Sequence, residues 1–355
     1  MNQISNYSVI GVMSGTSLDG LDLVQCTFNK SKHWQFEIQK CATIQYSKKW
    51  KSTLENLPFK NQQTINETNK DFGKFIGKEI NKFKDKNTTV DFIASHGHTI
   101  FHQPEKKITL QIGDGKTIAQ ETKTCTITNF RNLDVSLNGQ GAPLVPIGDL
   151  QLFEEYKFCL NLGGFANISS KEKNGIIAFD VCPVNIILNY LASKKDLEYD
   201  FDGELGKKGE INFELLQKLN SLKYYQKKYP KSLSREWLKE NILSIKEVSI
   251  LKTEDLLATF YEHIGFQIGK LLTEESVLVT GGGSLNSFLI EKISKYSKVK
   301  ISLGDTQIIN FKEALIFGFL GVLKIRSEVN CLSQVTGAIR DCSAGEIHEY
   351  LPAIN

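Results

Sequence analysis

Short apolar runs alternate with longer stretches whose apolar residues fall three or four apart, and this succession occurs once in each half of the chain. Residues 9–12 are apolar, residues 13–20 small and polar, and residues 21–28 apolar again, which predicts a strand, a glycine-rich turn and a second strand. Residues 36–46 alternate as a third strand would. Residues 65–83 place Phe72, Phe75, Ile76, Ile80 and Phe83 on one side of a helix. Residues 90–94 predict a short buried strand running into Ser95, His96, Gly97 and His98.

Residues 129–146, rich in Gly, Asn and Pro, read as a hinge or a functional loop. Beyond them, residues 158–162 predict a strand ending at Gly163 and Gly164, the strand signal continues at Ile168 and over 176–179, and residues 185–192 turn helical. Residues 194–240 are polar with few apolar periods and read as an insertion or a helical cap. An amphipathic helix over 256–272, an apolar strand over 276–280, a Gly281-Gly282-Gly283 turn and a helix over 285–296 follow, and residues 314–323 form an apolar helix preceded by Glu313. Strands first and helices after, occurring twice, predict an α/β protein of two related halves with a cleft between them. No fixed period of roughly 20 to 50 residues marks a tandem repeat.

The 355 residues suit two domains or one large one, and 41% hydrophobic with 23% charged residues leaves ample material for a core, which argues against disorder. The 43 Lys and Arg against 40 Asp and Glu give only +3, so no concentrated basic field marks a nucleic-acid or membrane-surface binder. Small anionic ligands remain compatible. Residues 1–8 carry no signal pattern, and the 314–323 stretch is about half a membrane span. Seven scattered cysteines without a C-x-x-C pair fit free thiols in a reducing cytoplasm. The expectation is a cytoplasmic protein with neither nucleic-acid nor membrane partners.

The first turn holds the densest candidate chemistry: Gly11, Ser14, Gly15, Thr16, Ser17, Asp19, Gly20 and Asp22. Backbone N–H groups and hydroxyls in such a turn approach phosphate oxygens, and Asp19 with Asp22 is a candidate pair for holding magnesium through water. The segment is neither a P-loop nor a dinucleotide fingerprint, and a plain structural hairpin is the competing reading. Gly281, Gly282 and Gly283 lie between a strand and a helix, where bare backbone admits a flat or phosphorylated ligand; a tight turn is the alternative. One glycine turn per half points to a single nucleotide in the cleft.

A longer ordered set of motifs is specific. Met13-Ser14-Gly15-Thr16-Ser17-Leu18-Asp19-Gly20-Leu21-Asp22 is followed by Ser95-His96-Gly97 with Thr99 and His102, Gln111-Ile112-Gly113-Asp114-Gly115, Phe130-Arg131 with Asp134, Gly139-Gln140-Gly141-Ala142-Pro143, Asn161-Leu162-Gly163-Gly164, Phe179-Asp180, Pro230-Lys231-Ser232 with Arg235-Glu236, Gly281 to Gly283 with Asn286, Glu313-Ala314 and Thr336-Gly337-Ala338. Over nearly its whole length the chain resembles the anhydro-N-acetylmuramic acid kinases, bacterial enzymes of peptidoglycan recycling. The resemblance implies the fold of actin and the sugar kinases, two ribonuclease-H-like domains closing on ATP. It implies phosphorylation at O6 of 1,6-anhydro-N-acetylmuramic acid, with ATP and Mg2+, while water opens the anhydro ring. Members tend to be homodimers.

On that resemblance the first domain spans residues 1–130, with 338–355 as a candidate addition to it, and the second spans 131–337 with the 194–240 insertion. Asp180 aligns with the catalytic base; a helix N-cap or a magnesium-water ligand is its plainer reading. Gly163 and Gly164 join the nucleotide-binding glycines, and His96, His98, Gln111, Arg131, Asp134 and Glu313 form the sugar-binding set. Arg131 suits a carboxylate or phosphate, a structural pair with Asp134 being its alternative.

Two departures from the family pattern stand out. Where the family usually has Asp-Thr-Gly-Pro-Gly-Asn, this chain has Asp180-Val181-Cys182-Pro183-Val184-Asn185. If the glycines there serve a positive φ, Val184 must alter the loop. His98 stands where Gln is common, giving His96, His98 and His102 a spacing that resembles a metal site, with His98 and His102 sharing a face if the segment is helical. Sugar contact or loop-fixing hydrogen bonds is the preferred reading. A kinase of another amino or anhydro sugar, or an impaired ATP- or sugar-binding sensor of cell-wall fragments, are the alternative functions.

Overall fold

The computed structural model describes residues 6–15, 18–85, 89–273 and 275–352. Contacts divide the chain into two compact units, residues 1–153 with 311–355, and residues 154–310.

The first unit opens with a meander. Strands β1 (Asn6–Ser14), β2 (Gly20–Lys30) and β3 (Trp34–Gln45) pair antiparallel in sequence order. After helices α1 (Lys48–Asn56) and α2 (Gln62–Phe83), strand β4 (Phe92–Gln103) returns parallel to β1. Its far end pairs with β5 (Ile108–Ile112), and helix α3 (Gly115–Thr122) leads to β6 (Thr126–Thr128), parallel to β4. The short helices α4 (Asn132–Ser136) and α5 (Pro146–Leu152) close this first part of the unit. The α2 helix is capped by Asn61, whose side chain accepts the Thr64 N–H. It buries Phe72, Ile76 and Ile80 against Ile10, Val12, Leu21 and Ile93 of the sheet, the stripe that its periodicity predicts.

The second unit repeats the plan. Strands β7 (Phe158–Leu162), β8 (Phe165–Glu172) and β9 (Gly175–Pro183) form an antiparallel meander. Helices α6 (Asn185–Ser193), α7 (Phe213–Asn220), α8 (Arg235–Leu238), α9 (Lys246–Ile250) and α10 (Thr253–Gly269) precede β10 (Val277–Thr280), which pairs parallel to β7. Helix α11 (Ser287–Tyr296) leads to β11 (Ile301–Leu303), parallel to β10. Helix α12 (Thr306–Ile325), the short α13 (Ser333–Thr336) and β12 (Glu346–His348), antiparallel to β6, complete the chain.

Each sheet is thus a three-stranded meander whose first strand pairs in parallel with the strand that follows the helices, extended by one more parallel strand: β6-β4-β1-β2-β3 in one, β11-β10-β7-β8-β9 in the other. Two ribonuclease-H-like arrangements in one α/β chain is the expected fold class.

The units divide the chain elsewhere than at residues 130 and 337. Residues 131–153 stay with the first unit because Arg131 bonds to His96 and Asp134 accepts from Thr336, and residues from 311 on rejoin it through α12. In α12, Phe319 meets Trp34 edge-on at 5.1 Å and Phe28 at 5.4 Å. The helix begins eight residues before the 314–323 run, because its first two turns mix buried Ile308 and Ile309 with polar residues. Strand β4 runs well past residue 94 and carries His96, His98 and His102, so their helical reading is corrected: a β-ladder with β1 and β5 holds them. The 194–240 segment contributes Leu215, Leu219, Tyr224 and Leu238 to the second core, and is more than a polar excursion. No helix among the described residues is long and apolar enough to cross a membrane.

Candidate functional site

In the first unit the hairpin between β1 and β2 is described at Gly15 and from Leu18 onward; Thr16 and Ser17 lie outside the described residues. Ser14 is buried, with its hydroxyl turned inward. Tyr46 donates to Ser14 Oγ at 2.6 Å, so the Ser14 proton goes to His98 Nδ1 at 2.8 Å. His98 is therefore a neutral acceptor at Nδ1, and burial holds its pKa down at about 4. The Ser14 hydroxyl expected at a phosphate is engaged here with Tyr46 and His98. Gly11 is a packing position as well, since a Cβ there would sit 2.0 Å from the Ala314 carbonyl of α12. Gly20 is closed off likewise, with the Ile44 carbonyl 2.7 Å from its would-be Cβ.

Asp19 is exposed and Asp22 half-buried. Thr43 donates to Asp22 Oδ1 at 2.6 Å, and burial raises the Asp22 carboxyl, with the negative charge of Asp19 adding to the rise. Two hard carboxylates that disfavour each other's ionisation fit a divalent cation held through water.

His96, Arg131 and Glu313 form the second cluster of this unit. The Nδ1 of His96 bonds the Gly97 carbonyl at 2.8 Å, which makes Nε2 the acceptor of the Arg131 Nε–H at 3.0 Å. Burial, then the Arg131 charge, keeps His96 neutral. Arg131 also donates through Nη1 to the Gly141 carbonyl at 2.6 Å. Its Nη2 has no protein partner among the described residues. Burial lowers Arg131 to about 10, against the opposing pull of Glu313. Glu313 is solvent-exposed yet crowded by protein, and that crowding raises its carboxyl more than Arg131 lowers it.

The other two sugar-binding candidates differ. Asp134 is fully buried, and its carboxylate accepts from the Gly141 N–H at 2.7 Å, Thr336 Oγ at 2.7 Å and Cys331 Sγ at 3.1 Å. It ties its own loop to Cys331 and Thr336 away from solvent, and it forms no ion pair with Arg131. Gln111 donates to Thr109 at 2.9 Å, while its buried Oε1 has no partner among the described residues. The histidines of β4 do not gather as a metal site; the group of metal-type ligands that does converge among the described residues is Asp134, Cys331 and Cys342, all buried.

In the second unit Asp180 lies on β9, one residue before a bulge in its ladder with β8. Its Oδ2 accepts the Leu233 N–H at 2.9 Å, and Oδ1 has no partner among the described residues. Burial raises the carboxyl while the Leu233 amide lowers it. Asp180 is no helix cap: Val184 is the N-cap of α6, at φ −125°, without a side-chain bond. The first amides of α6 are taken, since Val184 N–H donates to the Gly164 carbonyl at 2.8 Å and Asn185 N–H to the Gly163 carbonyl at 3.2 Å. Gly163 and Gly164 thus offer carbonyls to the helix, and Gly164 is exposed.

Near α6 a cavity of about 440 Å³ is lined by Asn185, Tyr199, Phe201, Gly282, Leu285 and Asn286 among others. Tyr199, Phe201 and Leu285 keep half or more of their surface exposed at it. The three glycines divide their roles. Gly281 adopts φ +81°, and its would-be Cβ lies 2.5 Å from Asn161 Oδ1; Gly283 packs on Leu162; at Gly282 no atom lies within 4 Å of the Cβ position. Gly282 is the bare stretch that opens on the cavity. Asn286 caps α11 through Leu289 N–H and donates to Tyr261 Oη at 2.9 Å. Tyr199 and Phe201 were not legible as site residues, being ordinary aromatics in a polar stretch.

The sequence profile of the family described as anhydro-N-acetylmuramic acid kinase matches residues 7–350. The chain belongs to this family. It is 32% identical to the anhydro-N-acetylmuramic acid kinase of Sulfurimonas denitrificans, covering 96% of this chain and 99% of that one. The Francisella tularensis subsp. novicida and Clostridioides difficile proteins of the same name are each 31% identical, over 96% of this chain and 98% of theirs. As an anhydro-N-acetylmuramic acid kinase family member the chain is an ATP-dependent carbohydrate kinase, a transferase acting on a small-molecule sugar in peptidoglycan recycling. Its departure at 182 and 184 is absorbed by packing: Cys182 and Val184 are both buried in the second core, and neither has a positive φ.

Proposed function

We propose that the chain transfers the γ-phosphoryl group of ATP to O6 of 1,6-anhydro-N-acetylmuramic acid while a water molecule adds at C1, giving N-acetylmuramic acid 6-phosphate. The observation that carries this reading is Asp180, whose one carboxylate oxygen is anchored by Leu233 and whose other is open. Oδ1 takes the proton of the attacking water as hydroxide bonds C1, the C1–O6 bond breaks, and O6 displaces ADP from phosphorus. A carboxylate made more basic by burial suits that proton transfer.

In the first unit, Arg131 is held by His96 and Gly141 so that Nη2 projects as a donor for the sugar's lactyl carboxylate. Glu313 accepts from sugar hydroxyls. Asp19 and Asp22 would hold Mg2+ through water, and the ion would neutralise charge on the phosphates. In the second unit the cavity at Gly282 takes the adenosine, its base against Tyr199 and Phe201; its size is within the range of small-molecule sites. The protein works as a cytoplasmic homodimer on this reading.

The test is an ADP-release assay with Mg2+, ATP and 1,6-anhydro-N-acetylmuramic acid, with the product mass determined. ADP release that needs the sugar, and one product that has gained both phosphate and water, is expected. Sugar binding without ADP release would overturn the reading in favour of a sensor.

A further inference from the structure

The 213–240 segment is held against the residue proposed as the base. Three hydrogen bonds join them, and all three engage Asp180 itself. Tyr224 donates its phenol proton to the Asp180 carbonyl at 2.5 Å, the Asp180 N–H donates to the Lys231 carbonyl at 3.2 Å, and the Leu233 N–H donates to Asp180 Oδ2 at 2.9 Å. Asp180 sits next to the bulge at Val181, where the β8–β9 ladder shifts register, so the ladder holds its backbone less firmly than that of its neighbours.

The strap is itself rigidly packed. Tyr224 is buried, with its ring 5.2 Å from Trp237 and 5.6 Å from Tyr225. The Lys231 ammonium lies over the rings of Tyr224 at 4.7 Å and Phe179 at 5.4 Å, and Tyr229 stacks on Phe179 at 6.0 Å. Phe179 is the residue preceding Asp180, so this aromatic and cationic stack clamps the same stretch of β9 from outside.

We propose that Tyr224 is a positioning residue for the reaction, holding Asp180 through its carbonyl so that residues 231–233 fix one carboxylate oxygen and aim the other. This inference rests on the proposed role of Asp180. It gives the 213–240 segment a catalytic purpose besides its share of the core. A backbone anchor and a carboxylate anchor together leave the side chain a single orientation, the condition under which a general base is effective.

The titratable groups around this stretch are Tyr224, Tyr225 and Lys231 of the strap, Cys182 of β9, and Lys270 just beyond α10, whose charge acts on Cys182 and Lys231. Asp180 itself responds to burial and to the Leu233 amide. Loosening the strap weakens the one influence that lowers its carboxyl, so the carboxyl then titrates at higher pH.

The experiment compares Tyr224→Phe, Tyr225→Phe and Asp180→Asn in steady-state kinetics across pH. Tyr225→Phe is the control for a lost buried hydroxyl: it removes the bond to His263 Nε2 at 3.0 Å within the same aromatic cluster but does not touch Asp180. Tyr224→Phe is expected to lower kcat about tenfold with the sugar KM within twofold of the parent, and to move the acid limb of kcat/KM to higher pH, while Tyr225→Phe leaves both unchanged. Parent-like kcat and an unmoved acid limb in Tyr224→Phe, alongside an inactive Asp180→Asn, would refute the strap and leave the base standing. Activity retained by Asp180→Asn would remove the base and the strap together.

Discussion

Arg131 donates its Nε–H to Nε2 of His96 at 3.0 Å, and the His96 bond to Gly97 dictates which nitrogen accepts. A neutral imidazole thus orients a cation without repelling it. Arg131→Lys keeps the charge and loses the fork. We expect the KM for the sugar to rise roughly tenfold to hundredfold with the KM for ATP little changed, measured by varying each substrate in turn.

Asp180→Asn preserves shape and removes the proton acceptor. The expected outcome is a fall in kcat of about a hundredfold or more, with sugar affinity retained in calorimetry. A fall in affinity with kcat intact would instead mark Asp180 as a binding group.

The glycines of the two turns separate packing from ligand contact. Gly11→Ala puts a methyl group 2.0 Å from the Ala314 carbonyl, and destabilisation of about 1–3 kcal/mol is expected. Gly282→Ala meets no atom within 4 Å, so thermal stability is expected to hold while ATP binding weakens as the cavity narrows. Melting curves with and without ATP distinguish the two.

Buried neutral histidines, His98 in the first unit and His263 in the second among them, make both units sensitive to acid. His98 is lowered by burial to about 4, and His263 to about 3 by burial and then by Lys270; the Asn220 carbonyl and the Tyr225 hydroxyl fix its neutral form. The unfolded chain takes up these protons near pH 6.5, and the folded chain only well below it. Stability from this source is complete above about pH 6.5 and is lost as pH falls toward the folded values. Melting temperatures are therefore expected to fall between pH 7 and pH 5, and His98→Gln is expected to flatten the fall.

Much of this was legible in sequence, for identifiable reasons. Helix α2 announces itself because its burial is one-sided and periodic, as in Phe72, Ile76 and Ile80, and the hairpin strands because they are continuous apolar runs buried on both faces. The β5, β6 and β11 strands are three to five residues long and gain their identity from the neighbour they pair with. At the site, Arg131 and His96 could be picked out by residue type and motif. Whether a side chain points inward could not: Ser14 and Asp134 have the chemistry of ligand-binding residues and spend it on Tyr46, His98, Thr336 and Cys331. Tyr224 escaped notice because its contribution is one hydrogen bond to a main-chain carbonyl, which leaves no pattern in the chain.

Restoring the usual glycines is expected to harm the protein. Val184 is fully buried at φ −125°, so Val184→Gly opens a void in the second core and frees the unfolded backbone. A lower melting temperature, with no gain in kcat, is the expected result.

The carbonyls of Gly163 and Gly164 already engage the first amides of α6. The start of that helix is thereby shut to anions, and Cys182 and Val184 beside it are held by packing in the second core. A diagnostic pattern that demands glycine at 182 and 184 would pass over chains such as this one, whereas a pattern built on Asp180, Pro183 and Asn185 would retain them.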